Sequence, residues 1–115
     1  MKTIQYEASN NILYNIYIGE NDVDNWQMID KAKQNDIWFH LKEFPSCHVI
    51  LEVKNENTLE KLPKSLINYT ACACKNNSKV SHLRNIYVIY TQIKNITKTT
   101  KIGSVYTKKT NEVKI

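Results

Sequence analysis

Between Asp36 and Leu51 the chain reads Asp-Ile-Trp-Phe-His-Leu-Lys-Glu-Phe-Pro-Ser-Cys-His-Val-Ile-Leu, which places two of its three histidines close to a tryptophan, an aspartate and a cysteine. An imidazole can donate, accept, carry a proton near neutrality or bind a metal. An indole offers a flat apolar face with one N–H donor. The segment contains two histidines, one tryptophan and one aspartate. It reads as two short strands joined by a charged connection that contains Pro45. Strand alternation puts Ile37, Phe39 and Leu41 on one face and Trp38 and His40 on the other. In the second strand Val49, Leu51 and Val53 share a face, and His48, Ile50 and Glu52 lie opposite. Pairing as a hairpin with His40 across from His48 sets Trp38 across from Ile50. One face is then aliphatic core, and the other carries an indole and two imidazoles.

That second face admits three uses. It could stack unpaired bases while nearby lysines hold phosphates. Asp36 with the two histidines could form a metal or acid–base site. The rings could also be packed and hydrogen-bonded as structure. The spacing argues against a metal, because no His-x-x-x-His pattern is present and two imidazoles make half a zinc site. Cys47 beside His48 is a poor nucleophile–base pair, since adjacent strand residues point to opposite faces. His82 falls in a loop without an evident partner. With only Gly19 and Gly103, the chain has no glycine-rich phosphate loop, and neither a nucleophile elbow nor a paired-carboxylate motif is visible.

The elements that must position this segment follow from periodicity and turn chemistry. Strands are expected at Thr3–Glu7 and Leu13–Ile18 around an Asn10-Asn11 turn. Asp22 is expected to cap a helix running to about Lys33, with Trp26, Ile29 and Ala32 or Lys33 inward. After the Ile37–Leu41 and His48–Val53 strands, residues 55–62 read as a polar connection. Pro63 suits the first turn of a helix to about Lys75. Its core stripe is Leu66, Tyr69 or Thr70 and Ala73, flanked by Ile67, Ala71 and Cys74. Asn85–Tyr90 reads as a strand and Gln92–Lys101 as irregular or a single turn. Ser104–Thr107 and Glu112–Ile115 read as a closing hairpin. The expected class is α+β: one domain over residues 1–115, a mostly antiparallel sheet of hairpin-connected strands with two helices packed on it.

The net charge of +5 is unevenly distributed. Residues 1–74 carry seven Lys against ten acids, while residues 75–115 carry eight Lys and Arg84 against Glu112 alone. So basic a last third is an electrostatic footprint for a polyanion. Lys outnumbers Arg fifteen to one and there are fourteen Asn, a bias expected of an A+T-rich genome, so the scarcity of Arg does not argue against phosphate binding. No apolar run reaches the length of a membrane span, and Met1–Tyr6 lacks the apolar core of a signal peptide. A cytoplasmic location, or a nuclear one, is the expectation. Cys47, Cys72 and Cys74 are odd in number and lack a zinc or redox spacing, so they read as buried or half-buried thiols.

The run Asp36-Ile37-Trp38-Phe39-His40, followed by Pro45-Ser46 and His48-Val49, resembles the signature of the NFACT-R domain family. Tyr90-Thr91, Lys94-Asn95, Lys98, the segment to Gly103 and Val105, and Val113-Lys114-Ile115 extend the resemblance over almost the whole chain. It implies an α+β RNA-binding module of the kind found in ribosome quality-control factors of the NEMF and RqcH type and in standalone proteins with a C-terminal coiled coil. The chain shows no NFACT-N region and no coiled-coil heptads, so the module alone carries over.

Together these readings give a non-catalytic RNA-binding module, with tRNA or ribosome-associated RNA as partner, DNA possible, and neither cofactor nor membrane. Arg84, Lys94, Lys98, Lys101, Lys108 and Lys109 are the expected phosphate contacts. Asp36, Trp38, His40, His48, Tyr90 and Thr91 are the expected base-contacting or site-shaping residues. The alternatives are a nucleic-acid-processing or base-modifying enzyme with an Asp/His site, and a protein-interaction module that uses the C-terminal strand as an exposed edge.

Overall fold

A computed structural model describes residues 1–54 and 59–115. The Asn10-Asn11 turn joins β1 (Lys2–Glu7) to β2 (Leu13–Ile18), with Asn11 in the left-handed region at φ 64°. Helix α1 covers Asp22–Lys31, followed by β3 (Ile37–Leu41) and β4 (Val49–Leu51). Of the expected polar connection, residues 55–58 lie outside the described residues, and Leu59–Lys61 form a 3-10 turn. Helix α2 (Lys64–Asn76), β5 (Tyr87–Gln92), a second 3-10 turn (Ile93–Asn95), β6 (Ile96–Lys98), β7 (Val105–Thr107) and β8 (Asn111–Lys114) complete the described chain.

Six strands form one sheet in the order β1-β2-β4-β3-β5-β8, every adjacent pair antiparallel. β6 and β7 form a separate two-stranded sheet. The fold is therefore α+β, with β1 and β8 as the edges of the main sheet. The two sheet faces bury different sets. Ile16, Val49, Leu51, Ile37, Phe39, Leu41 and Val88 pack with Leu66, Ile67, Ala71 and Cys74 of α2. On the other face Trp38 and Ile50 pack with Met28 of α1 and Ile93, against Ile96 and Val105 of the small sheet. The helices thus sit on opposite faces, and β6–β7 shares its face with α1.

Five local expectations need correction. The α1 cap is Asn21, whose Oδ1 accepts from Asp24 N at 2.8 Å, not Asp22. The inner face of α1 is rotated: Asn25 and Met28 are buried, with Trp26 and Ile29 at its margins. Asn25 turns inward because its amide oxygen has a partner there. The closing hairpin does not form, since Val105–Thr107 pairs with Ile96–Lys98 and Asn111–Lys114 pairs with β5. Local alternation could not reveal that β7 and β8, though neighbours in sequence, belong to different sheets. For the same reason 96–98, expected to be irregular, is a strand. The second strand is also shorter than His48–Val53, because Asp36 Oδ1 takes the Val53 N–H at 3.0 Å.

Candidate nucleic-acid interface

The register of β3 against β4 sets Trp38 opposite Ile50 and Phe39 opposite Val49, as the alternation predicts. Continued by one residue it brings His40 to His48, and their rings meet edge-on at 5.4 Å between centroids. The indole of Trp38 lies 5.7 Å from His40, nearly parallel, and 5.5 Å from His48, edge-on. Trp38 Nε1 donates to His48 Nδ1 at 3.1 Å. An acceptor at Nδ1 places the neutral ring's proton on Nε2, on the side that bonds the Gly103 backbone. His40 is the other tautomer: Nδ1 lies 2.6 Å from the Leu41 carbonyl, which makes it the donor and leaves Nε2 as the acceptor.

Burial is the main cause that lowers the His48 pKa to about 4, followed by the neighbouring His40 charge, while the Gly103 contact pulls the other way. His40 is lowered as well, chiefly by burial, against the Leu41 carbonyl. Both rings are neutral at physiological pH, so neither supplies positive charge to a polyanion.

These rings form the floor of an open cleft of about 390 Å³. Its walls include Asp22 and Asn25 of α1, Lys42, Pro45 and Ser46 of the β3–β4 connection, Ile89 of β5, and Lys101 to Val105. The 101–105 segment is tied to α1 by one hydrogen bond, and its neighbour Lys98 and the close approach of Gly103 keep it there. Trp26 Nε1 donates to Ser104 O at 3.2 Å. Lys98 pairs with Asp30 and lies 5.1 Å over the Trp26 ring. Gly103 has φ +86°, and an added Cβ would sit 2.7 Å from the Asp22 side chain. Gly19 is needed for a different reason. Its added Cβ would meet Asn25 Oδ1 at 2.0 Å, the same oxygen that accepts the buried His48 N–H at 3.2 Å.

The expected site residues separate into groups. Trp38, His40, His48 and Lys101 come together at the cleft. Trp38 is only 2 % exposed, so its ring cannot receive a stacked base. Asp36 is buried away from the cleft, where its carboxylate accepts from Lys33 N and Val53 N. The structure therefore does not assemble an Asp36–His40–His48 acid–base set. Thr91, opposite Trp38 in the sheet, is buried and accepts from Asn95 Nδ2 at 2.9 Å. Tyr90 lies on the opposite sheet face, stacked on Phe39 at 5.4 Å. Among the phosphate candidates, Lys98 is already engaged with Asp30 and Trp26. Arg84, Lys94, Lys101, Lys108 and Lys109 are exposed and make no ion pair among the described residues. No group of three His, Cys, Asp or Glu side chains suited to a metal occurs among the described residues.

Sequence reasoning missed several residues that shape this face. Asn25 and Gly103 build the cleft walls and Gly19 leaves room for Asn25 behind them, and the only available signal was that the chain has just two glycines. Tyr87, Lys42 and Lys114 extend the same sheet face beyond His40. Finding them required the pairing of β3 with β5 and of β5 with β8, both long-range.

Residues 2–110 match the family model described as the NFACT protein RNA binding domain. Coiled-coil domain-containing protein 25 of Danio rerio is 32 % identical over 105 residues, covering 89 % of this chain and 51 % of the relative. The Mus musculus protein of the same name is 31 % identical over 109 residues, covering 92 % of this chain and 52 % of the relative. The chain thus spans about half the length of these curated relatives. The solved structure of the C-terminal part of the fibronectin/fibrinogen-binding protein from Streptococcus suis superposes with a TM-score of 0.82 at 24 % identity, covering all of this chain and 45 % of that one, and so shares its fold.

Proposed function

This chain belongs to the NFACT protein RNA-binding domain family, and on that premise we propose that it binds structured RNA with accessible unpaired bases, tRNA or ribosome-associated RNA foremost, without catalysing a reaction on it. The family supplies the general RNA-binding role. The observation that carries the finer reading is the set of exposed cations in the last third that are committed to no acid among the described residues: Arg84, Lys94, Lys101, Lys108 and Lys109. Exposed lysines neutralise phosphates and release counterions, which gives affinity without base choice. The cleft beside Lys101 adds shape, with walls that pass from apolar (Ile89, Val105) to polar (Ser46, Ser104). An intracellular location, cytoplasmic or nuclear, is part of the same proposal.

A binding assay with tRNA, single-stranded RNA and duplex DNA at two salt concentrations tests this reading. Micromolar binding to tRNA that exceeds binding to duplex DNA and weakens steeply with salt is expected. Equal affinity for all three at both salts overturns it.

A further inference from the structure

An exposed aromatic residue on this sheet face lies outside the signature segment. Trp38 is interior, and its N–H is taken by His48. Tyr87, at the start of β5, is 39 % exposed. Strand alternation puts Tyr87 on the same sheet face as Ile89, and Ile89 pairs with His40 and lines the cleft. Tyr87 therefore lies one side-chain row beyond the histidines on that face, beside Lys42, which lines the cleft.

Two cations flank its ring. Lys42 Nζ lies 5.6 Å from the ring centroid and Lys114 Nζ 6.0 Å from it. Lys114 is the direct cross-strand partner of Tyr87, and Lys42 also lines the cleft. Glu112 holds Lys42 at 2.9 Å and raises its pKa, so this ammonium stays charged and orientated. We propose that Tyr87, Lys42 and Lys114 form a nucleotide platform on which one unpaired RNA base stacks while Lys114, paired with no acid among the described residues, takes the neighbouring phosphate and Lys42, held by Glu112, borders the ring. This proposal rests on the RNA-binding reading above and places its base contact on residues outside the signature.

The chemistry favours an unpaired nucleotide over other anions. An exposed lysine–aromatic contact is weaker than base–aromatic stacking. A base can therefore displace the Lys114 ammonium from the ring, and that ammonium then turns to the adjoining phosphate. A duplex hides its base faces and gains only the lysine contacts.

The test uses fluorescence anisotropy with a labelled mixed-sequence single-stranded RNA and a duplex RNA of the same sequence, across a salt series. Four variants are compared: Tyr87→Ala, Tyr87→Trp, Lys42→Ala and Lys114→Ala. Thermal melting of each variant checks that it folds. Tyr87→Ala is expected to weaken single-strand binding by at least fivefold with an unchanged salt slope, and to leave duplex binding within twofold. Tyr87→Trp is expected to bind the single strand at least as tightly as wild type. Lys114→Ala is expected to lower the slope by about 0.7, and Lys42→Ala, whose ammonium is already paired with Glu112, by less than half of that. Salt-dependent RNA binding that Tyr87→Ala leaves intact, or reduces equally for both RNAs, overturns the platform alone. Absence of RNA binding by the wild type overturns both the platform and the RNA reading beneath it.

Discussion

His48 makes the stability of this protein depend on mild acid. Its folded pKa is about 4 against an ordinary value of 6.5. Protonation is therefore easier in the unfolded chain than in the folded one, and the unfolded state binds more protons between these limits. Stability is full above pH 6.5 and declines as pH falls towards 4. The whole gap corresponds to about 3 kcal/mol, of which about 2 kcal/mol has gone by pH 5. For a domain of this size that is a fall in Tm of roughly 8 °C. The structure gives the reason: a charged His48 would lose the indole N–H donated to Nδ1 and would face His40 at 5.4 Å. His48→Gln provides the comparison, because an amide oxygen can still accept from Trp38 but does not titrate. His40 and the carboxylates titrate in both proteins and cancel. Melting curves from pH 7.5 to 4.5 should show the wild type losing roughly 8 °C more than His48→Gln by pH 5. NMR titration of the His48 ring should give an inflection well below 6. Parallel pH profiles for the two proteins, or an inflection near 6.5, would refute the reasoning.

Other perturbations test the walls of the cleft and the division of the lysines. Gly19→Ala drives a Cβ into Asn25 Oδ1 and strips the buried His48 N–H of its acceptor, so denaturant melts should show a loss of about 2 kcal/mol; a loss below 0.5 kcal/mol would mean that Asn25 moves aside freely. Lys98 already has Asp30 and Trp26 as partners. Lys98→Gln should therefore leave the RNA salt slope nearly unchanged, whereas Lys101→Gln lowers it by about 0.7, and equal effects would contradict the division. Cys47 is half-buried, and hydrogen bonding from Cys74 lowers its pKa, while the same contact raises that of buried Cys74. Iodoacetamide at pH 8 followed by peptide mass mapping should modify Cys47 before Cys74, and the reverse order would count against this pairing.

The β3–β4 hairpin was readable from the sequence because a period of two in a short segment leaves few registers, and one of them buries Ile37, Phe39, Val49 and Leu51 together. The α2 stripe was readable for a similar reason: Leu66, Ile67, Thr70, Ala71, Ala73 and Cys74 follow a helical period, and all are buried. Sequence did not show which strand follows which in space. β7 and β8 look like a hairpin locally, yet their partners are fixed by the packing of Val105 against Trp38 and Ile96 and of Val113 against the main core. The site divided along the same line. Adjacent positions such as Trp38, His40 and His48 were placed together correctly. Tyr90 was grouped with them although one residue's alternation carries it to the other face, where Phe39 receives it. Asn25 was invisible because an asparagine on a helix looks like a surface residue until a buried N–H is found opposite it.

The most direct test of RNA binding through the lysines of the last third is the salt dependence of affinity for single-stranded RNA, measured for the wild type and for a variant with Lys94, Lys101, Lys108 and Lys109 changed to Gln. The four lysines should account for about 2.8 of the log–log salt slope, so the variant should bind at least tenfold more weakly with a slope shallower than the wild type's by about that amount. Binding by the variant that matches the wild type in affinity and slope would contradict the claim.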